Sequence, residues 1–371
     1  MYCVRRIALD TRLITHTGVG TYIRTVFGGL PQAGGGDYTF VAVTNLGLPT
    51  LPGIPAVPVR SRPLNIGTQL LPWELRRVPA DLLHVPYFTA PLTWPRRLVL
   101  TIHDLISLAI PDTVEAPLRR MAGAGWTRLA ARRADMIVTD SEFSRHDIEH
   151  RLGIPAERLA VVPAAVAPEF RPAADPAAVE TFHRSLGIER YVLCVGRNKP
   201  HKNLRRLIRA FRRVRELLGV HLVIVGLAAP PPSLGREITS AGIGDAVRCV
   251  GHVPGELLPL YYQAAAAVVL PSLYEGFGLP ALEGMACGTP VVAANRTAIP
   301  EVVGDAAVLV DPEDESALAE GMARVIQDTE LRQRLRERGF ARVRRFTPEA
   351  AATRLVAVYR RVLNESRPDR P

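Results

Sequence analysis

The stretch Leu270-Pro-Ser-Leu-Tyr-Glu275-Gly-Phe-Gly-Leu-Pro280-Ala-Leu-Glu283-Gly-Met-Ala-Cys-Gly-Thr-Pro290 changes its character within ten residues. The apolar run 266–270 reads as a strand, a glycine-bearing loop follows, and Pro280 sits where proline favours the first turn of a helix. The amides of Phe277, Gly278 and Leu279 at that helix start are expected to point at an anion, aided by the helix macrodipole. Glu275 precedes the helix and Glu283 lies about one turn inside it. Two carboxylates beside an anion site make little sense for phosphate alone. They make sense if each accepts hydroxyl hydrogen bonds from a sugar carried by the phosphates. Surface glutamates on an ordinary strand–turn–helix are the plain alternative, and the rest of the chain has to decide against it.

Working outward, the same alternation recurs along all 371 residues. Strands are expected at 6–9, 40–43, 82–84, 98–102, 136–139 and 159–162, then at 191–195, 222–225, 247–250, 266–270, 291–293 and 307–310. Apolar runs alternating with helical patterns signify α/β domains with parallel sheets, whose ligands bind at the carboxyl ends of the strands. Proline punctuation over 163–186 separates the two series. The expected division is a first domain at 1–170, a linker at 171–188, a second domain at 189–345 and a terminal segment at 346–371. In that last segment Ala351, Leu355, Val358, Tyr359 and Val362 have helical spacing, so an amphipathic helix there needs a partner surface.

Composition narrows the function classes. Hydrophobic residues at 47% and charged residues at 22% are ordinary for a globular chain, and no apolar run is long enough to span a bilayer. The N-terminal residues read as a first strand rather than a secretion signal, which points to the cytosol. Cys3, Cys194, Cys249 and Cys287 form no ligand pattern and read as reduced core thiols. The net charge of +10 is spread along the chain, and aromatics at 6% are not interleaved with any basic tract, so nucleic acid is not an expected partner. Of the 46 basic residues only Lys199 and Lys202 are lysine, which marks them as positions where a compact ammonium is required.

Both lysines fall beside the strand expected at 191–195. Arg197 and Lys202 follow it, and a guanidinium with an ammonium at a strand's carboxyl end can neutralise a diphosphate. Asn203 reads as the N-cap of a helix over 204–218. In the first half, His103 directly follows the strand 98–102 and is expected to project from the opposite wall of a ligand cleft. Gly18 and Gly20 follow the first strand but lack the third glycine of a dinucleotide fingerprint. Close approach of the backbone at Gly18 to a ligand is the reading retained.

Together these motifs resemble the retaining glycosyltransferases of family 4, also called group 1 transferases, and particularly mannosyltransferase-like members. The resemblance covers nearly the whole chain. It implies the GT-B fold, two Rossmann-like domains facing a central cleft, with the last helix crossing back to the N-terminal domain. It also implies that Arg197 and Lys202 hold the donor diphosphate and Glu283 the ribose. Glu275, with Gly276, Phe277, Gly278 and Leu279 beside it, would hold the transferred sugar. His103 would lie next to that sugar, Gly18 would approach the phosphates, and the base would lie near Val250, contacted largely by backbone. Ala164-Ala165-Val166 and Pro348 depart from the family pattern without touching these positions.

The implied reaction moves a hexose from a nucleotide diphosphate sugar to an acceptor hydroxyl with retention of configuration. GDP-mannose is the favoured donor, with a UDP-sugar next, and no metal or further cofactor is expected. The expected acceptor is a glycan or lipid-linked saccharide in cell-envelope or exopolysaccharide synthesis. The arginine-rich helix expected at 118–133, with Met121, Trp126 and Leu129, is compatible with peripheral contact at an anionic inner membrane face. Rival readings are a nucleotide-sugar epimerase or phosphorylase of the same fold, and a non-catalytic nucleotide-sugar-binding protein.

Overall fold

The computed structural model describes residues 4–110 and 117–364. Thirteen strands are formed among the described residues. They are β1 (Arg5–Asp10), β2 (Tyr38–Asn45), β3 (Ala56–Val59), β4 (Leu82–Val85), β5 (Arg97–Thr101), β6 (Met136–Thr139), β7 (Leu159–Val161), β8 (Tyr191–Val195), β9 (His221–Val225), β10 (Val247–Val250), β11 (Ala267–Leu270), β12 (Val291–Ala294) and β13 (Ala307–Val310). Every strand pair is parallel. The chain divides into two compact units, Met1–Ala165 with Phe346–Pro371, and Val166–Arg345.

In the first unit the strand order is β3-β2-β1-β4-β5-β6-β7, and in the second β10-β9-β8-β11-β12-β13. Both are Rossmann-like. The order reverses between β1 and β4 in one sheet and between β8 and β11 in the other, which opens a crevice at the carboxyl ends of those strands. Central strands such as β4, β6, β11 and β12 are buried at every position. Helices cover both faces of a parallel sheet, so its strands read as continuous apolar runs.

The sequence expectation missed β3, whose Pro58 and preceding prolines argue against a strand. β3 pairs with β2 alone at the sheet edge, where proline is tolerated because no partner needs its missing amide. The expected linker at 171–188 is a second difference. Pro176–Leu186 is a helix, capped by Asp175 accepting from the Ala177 amide and ended by Gly187 in the left-handed region. Pro176 stands in its first turn, where proline starts a helix rather than breaking it.

Helix Leu204–Leu218 forms as expected. It buries Leu204, Leu207, Ile208, Phe211 and Val214 on the sheet and turns Arg205, Arg209 and Arg212 outward. Each buried Leu or Ile contributes roughly 1.5–3 kcal/mol. The exposed Arg209–Glu237 pair adds at most about 1 kcal/mol, so burial and not charge holds this helix. Asn203 occupies the N-cap position as expected, but without the side-chain capping that was expected of it. The residue is left-handed, at φ 57°, and makes no capping bond. Its side-chain amide instead donates to the carbonyls of Pro271 (3.1 Å) and Pro312 (2.7 Å), which lie just beyond β11 and β13.

The terminal helix Pro348–Asn364 belongs to the first unit. Its partner surface is the short helix Leu30–Ala33, where a Cβ on Gly29 would come within 3.1 Å of the Ala352 Cβ. Tyr359 Oη lies 2.6 Å from His84 Nδ1, and His84 Nε2 lies 2.7 Å from Thr101 Oγ1, all three side chains being buried. Burial, reinforced by His103, takes His84 down to about 3, so this ring is neutral. Cys194 and Cys287 are buried free thiols and Cys249 is partly buried, while Cys3 lies outside the described residues.

Candidate functional site

In the second unit the functional side chains converge at the crevice between β8 and β11. Lys202 follows β8 on a single 3-10 turn, Pro200–Lys202, and Glu275 follows β11. Two bonds hold these loops together: the Leu273 amide donates to the His201 carbonyl (2.7 Å), and Asn203 reaches across to Pro271. The Lys202 ammonium is thereby placed 2.6 Å from Glu275 Oε1, which also accepts from Ser272 Oγ at 2.6 Å. The Glu275 amide donates to Thr297 Oγ1 at 3.1 Å. Burial opposes ionisation of Glu275, but the Lys202 charge and the hydrogen bonds of Lys202 and Ser272 outweigh it and hold the carboxyl below its ordinary range.

Helix Leu279–Ala286 starts at Gly278, whose φ of 106° is left-handed and suits glycine. Glu283 lies inside this helix and accepts a 2.5 Å hydrogen bond from the buried Tyr262 hydroxyl. Burial pushes the Glu283 carboxyl up to about 7, against that hydrogen bond, and Glu169 adds to the rise. The two carboxylates singled out in the sequence thus sit in opposite environments. Glu275 is an ion-paired carboxylate, whereas Glu283 titrates near neutrality, a separation typical of functional sites.

Arg197 is exposed, and its guanidinium makes no hydrogen bond among the described residues. His201 Nδ1 is buried without a hydrogen-bond partner, and burial together with Lys202 lowers this ring to about 4. At the sheet edge the carbonyl of Val250 accepts from the amides of Gly226 (2.9 Å) and Leu227 (3.1 Å).

In the first unit His103 follows β5 and Asp140 follows the neighbouring β6. Parallel register brings the two strand ends side by side, and His103 Nδ1 lies 2.7 Å from Asp140 Oδ2. His103 Nε2 lies 3.2 Å from the Pro86 carbonyl, just beyond β4. Both partners are acceptors, an arrangement that favours the doubly protonated, charged ring. Burial works against that charge, but the Asp140 carboxylate outweighs it and raises the pKa above its ordinary value. The side chain is 22% exposed and packs edge-on against Tyr22.

Gly18 lies in helix Thr17–Tyr22 with open space where a Cβ would stand, whereas a Cβ on Gly20 would come 2.3 Å from the Ile14 carbonyl oxygen. Steric need therefore resides at Gly20.

Sequence reasoning passed over Ser272, Tyr262 and Asp140. Asp140 carried the same signal as His103, a polar residue directly after a strand. Tyr262 carried none, because it reaches Glu283 from another helix, Leu258–Gln263. Also missed was the fully buried Asp10–Arg12 pair at the first unit's crevice. Arg12 Nη2 lies 2.6 Å from Asp10 Oδ2, and Arg12 further donates to Tyr87 Oη (2.8 Å) and the Ser61 carbonyl (3.1 Å).

Comparison with known proteins agrees with this architecture. Residues 16–170 match Glycosyltransferase Family 4, and residues 179–342 match Glycosyl transferases group 1. The chain is 32% identical over 293 residues to O-antigen chain mannosyltransferase B of Escherichia coli, covering 78% of this chain and 76% of that one. Among solved structures, sucrose-phosphate synthase of Thermosynechococcus elongatus superposes with a TM-score of 0.79 at 23% identity, covering 96% of this chain and 99% of that one. Anabaena Alr3699/HepE in complex with UDP and glucose superposes with a TM-score of 0.77 at 21% identity, covering 96% and 100%. These two likenesses speak for the fold. Matching both family models and a relative over about three quarters of each chain, the chain belongs to glycosyltransferase family 4, with two Rossmann-like domains of the GT-B type.

Proposed function

We propose that the protein is a retaining hexosyltransferase that takes a sugar, mannose before others, from a nucleotide diphosphate donor to an acceptor hydroxyl. The observation that carries this reading is the Lys202–Glu275–Ser272 cluster at the crevice between β8 and β11. The donor diphosphate takes Lys202 from Glu275 and adds Arg197, while the amides at Gly278 and Leu279 face the same charge. Glu275, released, accepts a hydroxyl of the transferred sugar, with Gly276 and Phe277 beside it. Glu283 accepts from the ribose, and the base lies near Val250.

The barrier is departure of the diphosphate from the anomeric carbon. Charge grows on the phosphates as that bond breaks, and in this reading the Arg197 and Lys202 cations stabilise it without a divalent cation. Loss of one such donor raises the barrier by about 2.7–4 kcal/mol. In the first unit this reading assigns His103, held by Asp140, to the transferred sugar and Gly18, with open space at its Cα, to the phosphates. The departing phosphate takes the acceptor proton on the face it leaves, so configuration is retained.

The mannosyltransferase name of the Escherichia coli relative supports mannose, and GDP-mannose as donor. The UDP and glucose complex of Anabaena Alr3699/HepE keeps UDP-glucose as the next candidate. The acceptor in this reading is a glycan or lipid-linked saccharide, elongated in the cytoplasm during envelope or exopolysaccharide synthesis.

A thermal-shift and hydrolysis screen against GDP-, UDP-, ADP- and dTDP-sugars tests the reading. One donor should raise the melting temperature and hydrolyse slowly, with Lys202→Ala weakening binding and Glu275→Ala abolishing turnover. Absence of any nucleotide effect refutes the donor site. Conversion of the donor sugar to an epimer without acceptor refutes transfer.

A further inference from the structure

The first unit carries an apolar face that covers nothing. Beyond β3 the chain makes three consecutive helical pieces, Ile66–Leu70, Leu71–Glu74 and Leu75–Arg77. One side is anchored by Thr68, Leu71 and Leu75, all buried. On the other side Ile66, Leu70 and Trp73 are 76%, 60% and 65% exposed. Lying within eight consecutive residues, the three form one exposed apolar stretch where a surface segment ordinarily shows polar residues.

Charge identifies what this stretch suits. Arg60, Arg62, Arg76 and Arg77 flank it and are exposed. The segment's single acidic residue, Glu74, is taken up by the amides of Arg60 (2.7 Å) and Ser61 (3.2 Å). Arg76 lies over the Trp73 ring, 4.2 Å from its centroid. Beside Trp73 is a groove of about 560 Å³ lined also by Arg76, Arg77 and Arg96. Protruding apolar anchors ringed by guanidinium groups match a surface that is apolar within and phosphate-bearing at its rim.

We propose that this face docks on an anionic phospholipid bilayer, with Ile66, Leu70 and Trp73 entering the headgroup–acyl boundary and the flanking arginines holding lipid phosphates. The helix Pro117–Arg133, to which the sequence reading assigned membrane contact, is less suited. Arg133 is committed to Asp135 (3.8 Å) and to the Leu92 carbonyl (3.2 Å), and Trp126 packs against the core. On that helix Met121, Arg128, Leu129 and Arg132 are exposed, and the side chains of Leu118, Arg119 and Arg120 lie outside the described residues. Membrane docking here does not rest on the glycosyl-transfer reading, and it is measured without donor or turnover.

Flotation of the full chain with vesicles of phosphatidylglycerol and phosphatidylcholine, against phosphatidylcholine alone, is the test. Salt-sensitive binding to the anionic vesicles is expected, with a blue shift of tryptophan emission. Trp73 reports that shift because Trp94 is buried and Trp126 packs on the core. Combined Ile66→Ser, Leu70→Ser and Trp73→Ser should weaken binding by about tenfold or more with an unchanged melting temperature. Met121→Ser with Leu129→Ser should leave binding intact, and Trp73→Phe should keep flotation while losing the blue shift. Absence of vesicle binding, binding unaffected by the triple substitution, or loss only in the Met121/Leu129 variant overturns the proposal. Self-association abolished by the triple substitution, with no vesicle binding, would assign the face to a second copy of the chain.

Discussion

Replacing Glu283 with glutamine keeps the side chain's shape and an acceptor for the Tyr262 hydroxyl while removing the ionisable group. Burial in the folded chain carries this carboxyl from an ordinary value of 4.5 to about 7. At about 1.4 kcal/mol for each tenfold change in proton affinity, that corresponds to about 3 kcal/mol. The sign follows from the direction. A folded-state pKa above the unfolded one means that protonation stabilises the fold, fully below about pH 4.5, and that this contribution is lost as the pH rises to about 7. Above neutrality the wild type therefore carries a partly buried charge that Glu283→Gln lacks, a penalty of up to about 3 kcal/mol reduced by the solvent that reaches it. At roughly 2–4 °C per kcal/mol for a unit of this size, the variant should melt about 5–10 °C higher near pH 8, with the difference vanishing near pH 4.5. Calorimetry across pH, following the transition of the second unit, measures this, and nucleotide-sugar titration should show weaker binding in the same variant. A melting difference independent of pH, or a variant less stable near pH 8, refutes the reasoning.

Tyr262→Phe removes the hydrogen bond that restrains the rise at Glu283, so the pH at which donor affinity rises should move to more alkaline values in binding titrations. Arg12→Met leaves Asp10 charged and fully buried, and chemical denaturation should show a loss of roughly 3–5 kcal/mol. Gly20→Ala drives a Cβ into the Ile14 carbonyl and should destabilise by about 1–3 kcal/mol. Gly18→Ala meets open space and should stabilise by roughly 0.5–1 kcal/mol, so any lost donor binding in that variant is a direct effect on the site. Tyr359→Phe strips a buried partner from His84 and should lower stability by roughly 1–3 kcal/mol in the same denaturation assay.

Much of the fold was legible because parallel strands buried on both faces are short apolar runs, and β8, β11 and β12 read that way directly. β3 was not, because its prolines are tolerated only at an edge, and edge position is a property of the sheet. Helix Pro176–Leu186 was hidden because it is short, follows a proline-punctuated stretch and buries none of its residues fully. Asn203 illustrates a different limit. Its position before the helix was read correctly, but its side chain serves the carbonyls of Pro271 and Pro312, which are remote in sequence.

For the candidate site, residue types at strand ends were decided by sequence: Lys202 after β8, Glu275 after β11, and His103 after β5. Local rules suffice there, since a polar residue in the loop that follows a buried run lies on the side of the sheet's carboxyl ends. Tertiary structure alone decided the protonation states. Glu275 and Glu283 are the same side chain eight positions apart, yet one is held charged by Lys202 and Ser272 while the other is pushed toward neutrality. Burial, partner charge and hydrogen bonding determine that difference, and each is contributed by chain segments that only folding brings within a few ångströms.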